Sequence, residues 1–244
     1  MTVAAIVPAA GRGERLGPGQ PKALRDLGGV PMLVHAVRAL SRARLVDLVV
    51  VAAPPGGVDE VKALLALHDI GAEVTVVAGG AERRDSVARA LETLPPDVRA
   101  VLVHDAARPL APPELVDAVA KAVLDGHQAV VPGVPIADTV KRISEAGEGG
   151  AGREGGGLQA HVVATLPRSD LRAIQTPQGF AREVLARAHA DGKLTAVDDA
   201  DLVERLGVPV VVVPGSNEAF EITRPIDLLF AEAVLAERRF NGAF

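Results

Sequence analysis

The chain has 244 residues, 48% of them apolar, enough for one large α/β domain or two small ones around a buried core. Its 26 basic against 31 acidic residues give a net charge of −5, which excludes a surface that attracts a nucleic-acid backbone, and five Phe with no Tyr or Trp leave few rings on which bases could stack. The absence of cysteine excludes disulfides, a thiolate nucleophile and Cys-based metal sites.

From the amino end, Met1 to Ile6 lacks a basic leader region and its apolar run breaks at Pro8, so no secretory signal is expected. No run approaches the roughly 18 apolar residues of a membrane span, and a cytoplasmic protein is the expectation. Strand-like runs at residues 3–7, 45–52, 74–77, 100–103 and 129–131 are nearly continuous in apolar character, as strands covered on both faces are. Between them, Leu33-Ala36-Val37-Leu40, Val61-Leu64-Leu65, Val87-Leu91-Leu94 and Leu115-Val116-Val119-Val123 recur at the spacing of one helix face. This βαβαβαβαβ order predicts a Rossmann-like, mainly parallel α/β sheet with helices on both faces, in which ligands settle at the carboxyl ends of the strands. Residues 139–143 and 158–165 read as two extended arms around a stretch, 145–157, that holds seven glycines. A segment of that composition cannot bury a core and is expected to be a flexible spacer. Residues 171–174 read as a strand returning to the sheet, 182–190 and 200–206 as helices, 208–213 as a buried strand and 226–234 as a closing helix. The whole chain, 1–244, is expected to be one domain, with residues 137–172 a β-arm subdomain.

The first strand runs into Pro8-Ala9-Ala10-Gly11-Arg12-Gly13-Glu14-Arg15-Leu16, followed by Pro21-Lys22. Small residues at Ala9, Ala10, Gly11 and Gly13 let phosphate oxygens approach main-chain N–H donors, while Arg15 and Lys22 supply charge where phosphate charge builds up. Two better-known phosphate loops fail on spacing. Leu16 stands where a Rossmann loop needs its third Gly, and no Gly-Lys-Ser/Thr closes a P-loop. On the glycines alone a plain strand-to-helix turn would serve as well, and an Arg and a Lys in a loop are commonly just solvated charges.

The segment Pro8 to Lys22, together with Val103-His104-Asp105-Ala106-Ala107-Arg108-Pro109, Ala137-Asp138-Thr139-Val140-Lys141 and Gln175-Thr176-Pro177-Gln178, resembles the 2-C-methyl-D-erythritol 4-phosphate cytidylyltransferase family of the non-mevalonate isoprenoid pathway. The likeness runs from about Val3 to about Ala236. It implies a nucleotidyltransferase domain of the GT-A-like kind, CTP and a polyol phosphate as substrates, and Arg15 and Lys22 as catalytic cations. It further implies nucleotide binding by Ala9, Ala10, Gly11, Gly13, Gly79, Gly80, Ser86, Asp105 and Ala106, and acceptor binding by Asp105, Arg108, Thr139, Arg168 and Thr176. In the family, Thr139 and Arg168 reach from one subunit's arm into its neighbour, so a homodimer through the β-arm is implied. Burial of Val140, Ile143, Val162 and Val163 against a twofold mate would account for so long a hairpin. Because an attacking phosphate is already ionised, the chemistry asks for positioned cations rather than a general base.

Some positions depart from the family pattern. Ala81 stands where an acid is usual, Glu221 where a Lys is common and Val197 where a Thr is common. His104, beside apolar Val103, reads as a packed structural residue. Asp198, Asp199 and Asp201 read as an acid-rich helix start before they read as metal ligands. The six dispersed His show no metal-binding spacing, so no protein-built metal site is expected, and Mg2+ would ride on the triphosphate. Two other readings stay open on the sequence: a cytidylyltransferase for another polyol phosphate such as ribitol 5-phosphate, and a non-catalytic nucleotide sensor on the same scaffold.

Overall fold

The computed structural model describes residues 2–11, 20–144, 160–190 and 196–241. In chain order the elements are β1 (Thr2–Pro8), β2 (Asp26–Leu27), β3 (Val30–Pro31), α1 (Met32–Ser41), β4 (Leu48–Ala53), α2 (Val58–Ala66), β5 (Glu73–Ala78), α3 (Arg83–Glu92), β6 (Val98–Val103), α4 (Pro113–Leu124), β7 (Ala129–Pro135), β8 (Lys141–Ile143), β9 (Val162–Thr165), β10 (Arg172–Ile174), β11 (Gln178–Ala181), α5 (Arg182–Ala190), α6 (Asp199–Glu204), β12 (Val211–Pro214) and α7 (Pro225–Phe240).

Eight strands form one sheet in the order β10-β7-β11-β6-β1-β4-β5, with β12 also paired to β7. The β1–β4, β1–β6, β4–β5 and β7–β12 pairs are parallel, whereas β11 runs antiparallel between β6 and β7, and β10 antiparallel to β7. The sheet is thus mainly parallel and Rossmann-like. Continuous apolar strands follow from burial on both sides. Val3, Ala5 and Val7 of β1 face Leu33 and Val37 of α1 and Val116 and Val119 of α4, while Ala4 and Ile6 face Val87 and Ala90 of α3 and Leu185 of α5. Each large aliphatic side chain so buried contributes roughly 1.5–3 kcal/mol, and together they fix the strand ends relative to one another. A smaller cluster of Leu27, Met32, Leu110, Ile222, Ala231 and Leu235 fastens α7 and the β2–β3 hairpin against the loop after β6.

The elements expected from periodicity are present with shifted ends: the strand expected from residue 45 starts at Leu48, and the one expected as a buried strand at 208–213 starts at Val211 and is only partly buried, with Val212 half exposed because β12 pairs with β7 alone among the described strands. One central strand was not expected. β11 lies inside the QTPQ motif and its continuation, where Gln178-Gly179-Phe180-Ala181 offers one large apolar side chain in four residues. Its Gly179 is there for closeness: a Cβ would stand 2.7 Å from Val119 Cγ1 and 2.9 Å from Val123 Cγ2, so α4 packs directly on the strand.

The arm is a separate two-stranded antiparallel sheet, β8 with β9, in which Lys141 faces Thr165 and Ile143 faces Val162. Ile143, Val162 and Val163 are each more than half exposed on it. The glycine-rich stretch 145–157 lies outside the described residues.

Candidate active site

The loops after β1, β5 and β6 all begin by extending the sheet's own hydrogen bonding. Ala9 N–H donates to Ala52 O at 2.9 Å, Gly79 N–H to Ala53 O at 2.8 Å, and His104 N–H to Ile6 O at 2.9 Å. Three strand ends are thereby held level, and above them opens a cleft of about 860 Å³. That is room for a nucleotide-sized ligand.

Of the residues singled out by sequence, Ala9, Ala10, Gly11, Lys22, Asp105, Ala106, Arg108 and Thr176 line this one cleft, although they come from four separate segments. Arg15 and Gly13 lie outside the described residues. Gly79, Gly80 and Ser86 are buried at the neighbouring end of β5 and are not among the residues lining the cleft. Their packing is tight. A Cβ on Gly79 would stand 2.7 Å from Ala53 O and 3.2 Å from Ala10 Cβ, and one on Gly80 would collide with Asp85, so only glycine lets the loop lie against the phosphate loop. Ser86 Oγ accepts from Gly80 N–H at 3.0 Å and donates to Glu82 O at 3.0 Å, which fixes the shape of that turn. Thr139 and Arg168 stand exposed on the arm, away from the cleft lining, and Arg168 Nη1 donates to Ala137 O at 2.6 Å.

Lys22 opens a short 3-10 turn, Lys22–Leu24, that is pinned by the buried Ala23. Its Nζ lies 2.6 Å from Glu221 Oε1 and its side chain is only 16% exposed. Arg108 is held by donation from Nη1 to Ala219 O at 2.8 Å, with its Nη2 3.9 Å from Glu221 Oε2 and its Nε 3.9 Å from Asp105 Oδ2. Burial lowers the Arg108 guanidinium from its ordinary value, against the pull of Asp105 and Glu221. Its Nε is buried without a hydrogen-bond partner.

Beneath the cleft, His104 is fully buried, with Nδ1 3.0 Å from Thr176 Oγ1 and Nε2 3.2 Å from Arg108 O. The Thr176 hydroxyl also accepts from Asp105 N–H at 3.0 Å. Burial pushes the His104 imidazole down to about 4, with Asp105 opposing and Arg108 assisting, so it is neutral near pH 7. These contacts make His104 and Thr176 the brace of the loop that carries Asp105 and Arg108. Thr176 thus lines the cleft while its hydroxyl is engaged with the protein.

The sequence reading did not foresee the network on the opposite wall. Arg83, at the start of α3, donates from Nε to Asp105 Oδ1 at 3.1 Å and from Nη1 to Asp199 Oδ2 at 2.7 Å. Asp199 is 1% exposed and its other oxygen lies 2.9 Å from His189 Nε2. Burial disfavours the Asp199 carboxylate, yet Arg83 and His189 hold it below the usual carboxylate range, while the two acids raise Arg83 above the ordinary guanidinium value against its own burial. Asp198 caps α6 through Oδ1, which accepts from Asp201 N–H at 2.9 Å, and its Oδ2 accepts from Gln178 Nε2 at 2.8 Å. The acid-rich run is therefore a helix start, and its middle residue, Asp199, is a buried link in an Asp105–Arg83–Asp199–His189 chain. Asp105 and Asp199 were both singled out in the sequence, but nothing there linked them to each other or to Arg83 and His189.

A mainly parallel Rossmann-like sheet whose strand ends carry a small-residue loop and facing cations is the architecture of a binder of phosphate-bearing ligands. The profile of the family IspD, 2-C-methyl-D-erythritol 4-phosphate cytidylyltransferase, matches residues 3–237. The chain is 61% identical over 234 residues to the enzyme of that name from Frankia casuarinae, covering 96% of this chain and 81% of the relative. It is 56% identical over 243 residues to that of Streptomyces coelicolor, covering 99% and 87%. Among solved structures, the 2-C-methyl-D-erythritol 4-phosphate cytidylyltransferase of Thermus thermophilus superposes with a TM-score of 0.71 at 38% identity, over 96% of this chain and 98% of that one. The 4-diphosphocytidyl-2C-methyl-D-erythritol synthase of Anaerococcus prevotii superposes with a TM-score of 0.79 at 27% identity, over 96% of each chain. The chain belongs to the 2-C-methyl-D-erythritol 4-phosphate cytidylyltransferase family and is an enzyme.

Proposed function

We infer that the enzyme transfers CMP from CTP to 2-C-methyl-D-erythritol 4-phosphate, giving 4-diphosphocytidyl-2-C-methyl-D-erythritol and pyrophosphate in the isoprenoid pathway. The observation that carries this reading is the position of Lys22, a largely buried ammonium facing the cleft beside the Ala9–Gly11 loop and opposite Arg108. A phosphate oxygen of the acceptor attacks the α-phosphorus of CTP, a new P–O bond forms, and the bond to the β-phosphate oxygen breaks. Negative charge grows on the equatorial and leaving oxygens. Lys22 meets it together with Arg15, and main-chain N–H groups of the small-residue loop, Gly13 included, hold the triphosphate. No side chain has to remove a proton, because the attacking oxygen is already ionised.

Asp105, steadied by Arg83 on one oxygen, is placed to receive a ribose or polyol hydroxyl, with Ala106 against the sugar. Cytosine recognition is assigned to main-chain groups around Gly79 and Gly80 other than the two glycine N–H groups, which are bonded to Ala53 O and Ser86 Oγ. Arg108 takes the acceptor phosphate, and Thr176 acts by keeping Asp105 in place. Thr139 and Arg168 complete the acceptor subsite of a neighbouring subunit in a homodimer formed through the arm. The half-exposed Ile143, Val162 and Val163 support that arrangement, since a lone two-stranded ribbon with apolar residues in water is marginal.

Mg2+ would bind with the triphosphate and neutralise part of its charge. The carboxylates of Asp105 and Glu221 in the cleft are each engaged by a cation. An ion there would take phosphate and water oxygens. Among the described residues no helix is long and apolar enough to cross a membrane.

A coupled pyrophosphate assay tests the reading. CTP with 2-C-methyl-D-erythritol 4-phosphate should release pyrophosphate, while ATP, GTP and UTP, or ribitol 5-phosphate as acceptor, should give far less. Pyrophosphate release with ribitol 5-phosphate alone would replace the acceptor, and CTP binding without turnover on either acceptor would leave only a sensor.

A further inference from the structure

The cleft holds an acid that the reaction does not use. Glu221 follows the 3-10 turn Asn217–Ala219 and precedes α7, and its backbone is pinned from both sides. Ala219 is fully buried and its carbonyl accepts from Arg108, while Ile222 is fully buried and its N–H donates to Ala107 O at 2.8 Å. The carboxylate between these anchors is aimed into the cleft rather than trailing in solvent, and Lys22, Arg108 and Glu221 all line the same space.

Its two oxygens are divided between two cations. Oε1 lies 2.6 Å from Lys22 Nζ and Oε2 lies 3.9 Å from Arg108 Nη2. A three-atom O–C–O group spanning an ammonium and a guanidinium has the shape and charge sign of two oxygens of a phosphate group. Glu221 places one negative charge directly between Lys22 and Arg108, and so weakens the attraction these two cations offer an incoming polyanion. Removing it would make the local charge more positive by one.

We propose that Glu221 is an internal counter-anion that occupies the phosphate subsite between Lys22 and Arg108 and must be displaced before a substrate phosphate or pyrophosphate group binds there. The proposal rests on the assignment of this cleft to phosphate-bearing substrates. Glu221 thereby sets the affinity of the site. It is 31% exposed at its side chain, so it can swing toward water once a more highly charged anion takes both cations. An ion pair of this partly exposed kind holds weakly enough for a phosphate group to displace it. The acid also gives the largely buried Lys22 ammonium an ionic partner in the free enzyme.

Calorimetric binding of inorganic pyrophosphate, without nucleotide or acceptor, reads this device directly. Glu221→Gln should bind pyrophosphate on the order of tenfold more tightly than the wild type, with the difference shrinking as salt is raised. Glu221→Ala should tighten binding in the same sense and serves as the reading if the Gln variant does not fold. Unchanged or weaker pyrophosphate binding in a folded variant would overturn the proposal and make Glu221 a support for Lys22. The assignment of the cleft is judged separately by wild-type turnover with CTP: turnover without the affinity change defeats only the counter-anion, and the affinity change without turnover defeats only the assigned reaction.

Discussion

The cleft and the arm are built on opposite terms. In the cleft, polar groups rest on strands buried on both faces. Lys22, Asp105, Arg108 and Arg83 are each held by at least one charged or backbone partner, and His104 and Thr176 brace the loop from below. On the arm, β8 and β9 pair only with each other among the described strands, and Ile143, Val162 and Val163 stand more than half exposed. The comparison teaches that the first region is organised within one chain, while the second has apolar surface that a single chain leaves unfilled. On the proposed reading, catalytic charge sits in the cleft and assembly uses the arm.

The largest expected effect lies in the cleft. Lys22→Ala should lower turnover by on the order of 10²- to 10³-fold with little change in unfolding midpoint, measured by single-turnover kinetics and thermal melts, because it removes a cation aimed at developing charge and almost no packing. Wild-type turnover in that variant would remove Lys22 from the mechanism. Arg83→Ala should cost about 3 kcal/mol of stability in chemical denaturation, since the buried Asp199 would keep only His189, and it should loosen Asp105 as well. A loss of activity with no loss of stability would confine Arg83 to substrate binding.

The brace under the cleft has a pH signature. With His104 at about 4 in the folded state and near 6.5 unfolded, the unfolded chain binds the extra proton between those values. The stability tied to neutral His104 is therefore fully present above about pH 6.5 and falls by about 3 kcal/mol as pH drops to about 4. Denaturation midpoints of wild type and His104→Asn should converge over that interval, and parallel curves would contradict the neutral, buried imidazole. The smallest effect is on the arm. Val163→Asp should weaken self-association by about tenfold in sedimentation while leaving the melting temperature of the monomer near wild type. A wild-type protein that sediments as a fully active monomer would break the comparison altogether.

Much of this was legible because burial on both faces writes itself as apolar runs. β1, β4, β6 and β7 were found for that reason, and the helices between them by their spacing. β11 was not, because a four-residue strand with Gln178 bonded to α6 and Gly179 pressed under α4 carries neither alternation nor length. In the site, Lys22, Asp105 and Arg108 were marked by motifs whose residues stay close in sequence. The Asp105–Arg83–Asp199–His189 chain was not, because its members lie on β-to-α loops and helices as much as 116 residues apart, and only the packing of α3, α5 and α6 brings them together. Glu221 was noticed as an odd charge, but its hold on both Lys22 and Arg108 is a fact of three dimensions.

A crystal structure with a non-hydrolysable CTP analogue tests the central claim most directly. The account predicts the cytosine beside Gly79–Gly80, the triphosphate on the Ala9–Gly11 loop and Lys22 Nζ released from Glu221 to within about 3 Å of an α-phosphate oxygen. A nucleotide bound elsewhere, or Lys22 still paired to Glu221 and remote from that phosphate, would contradict it.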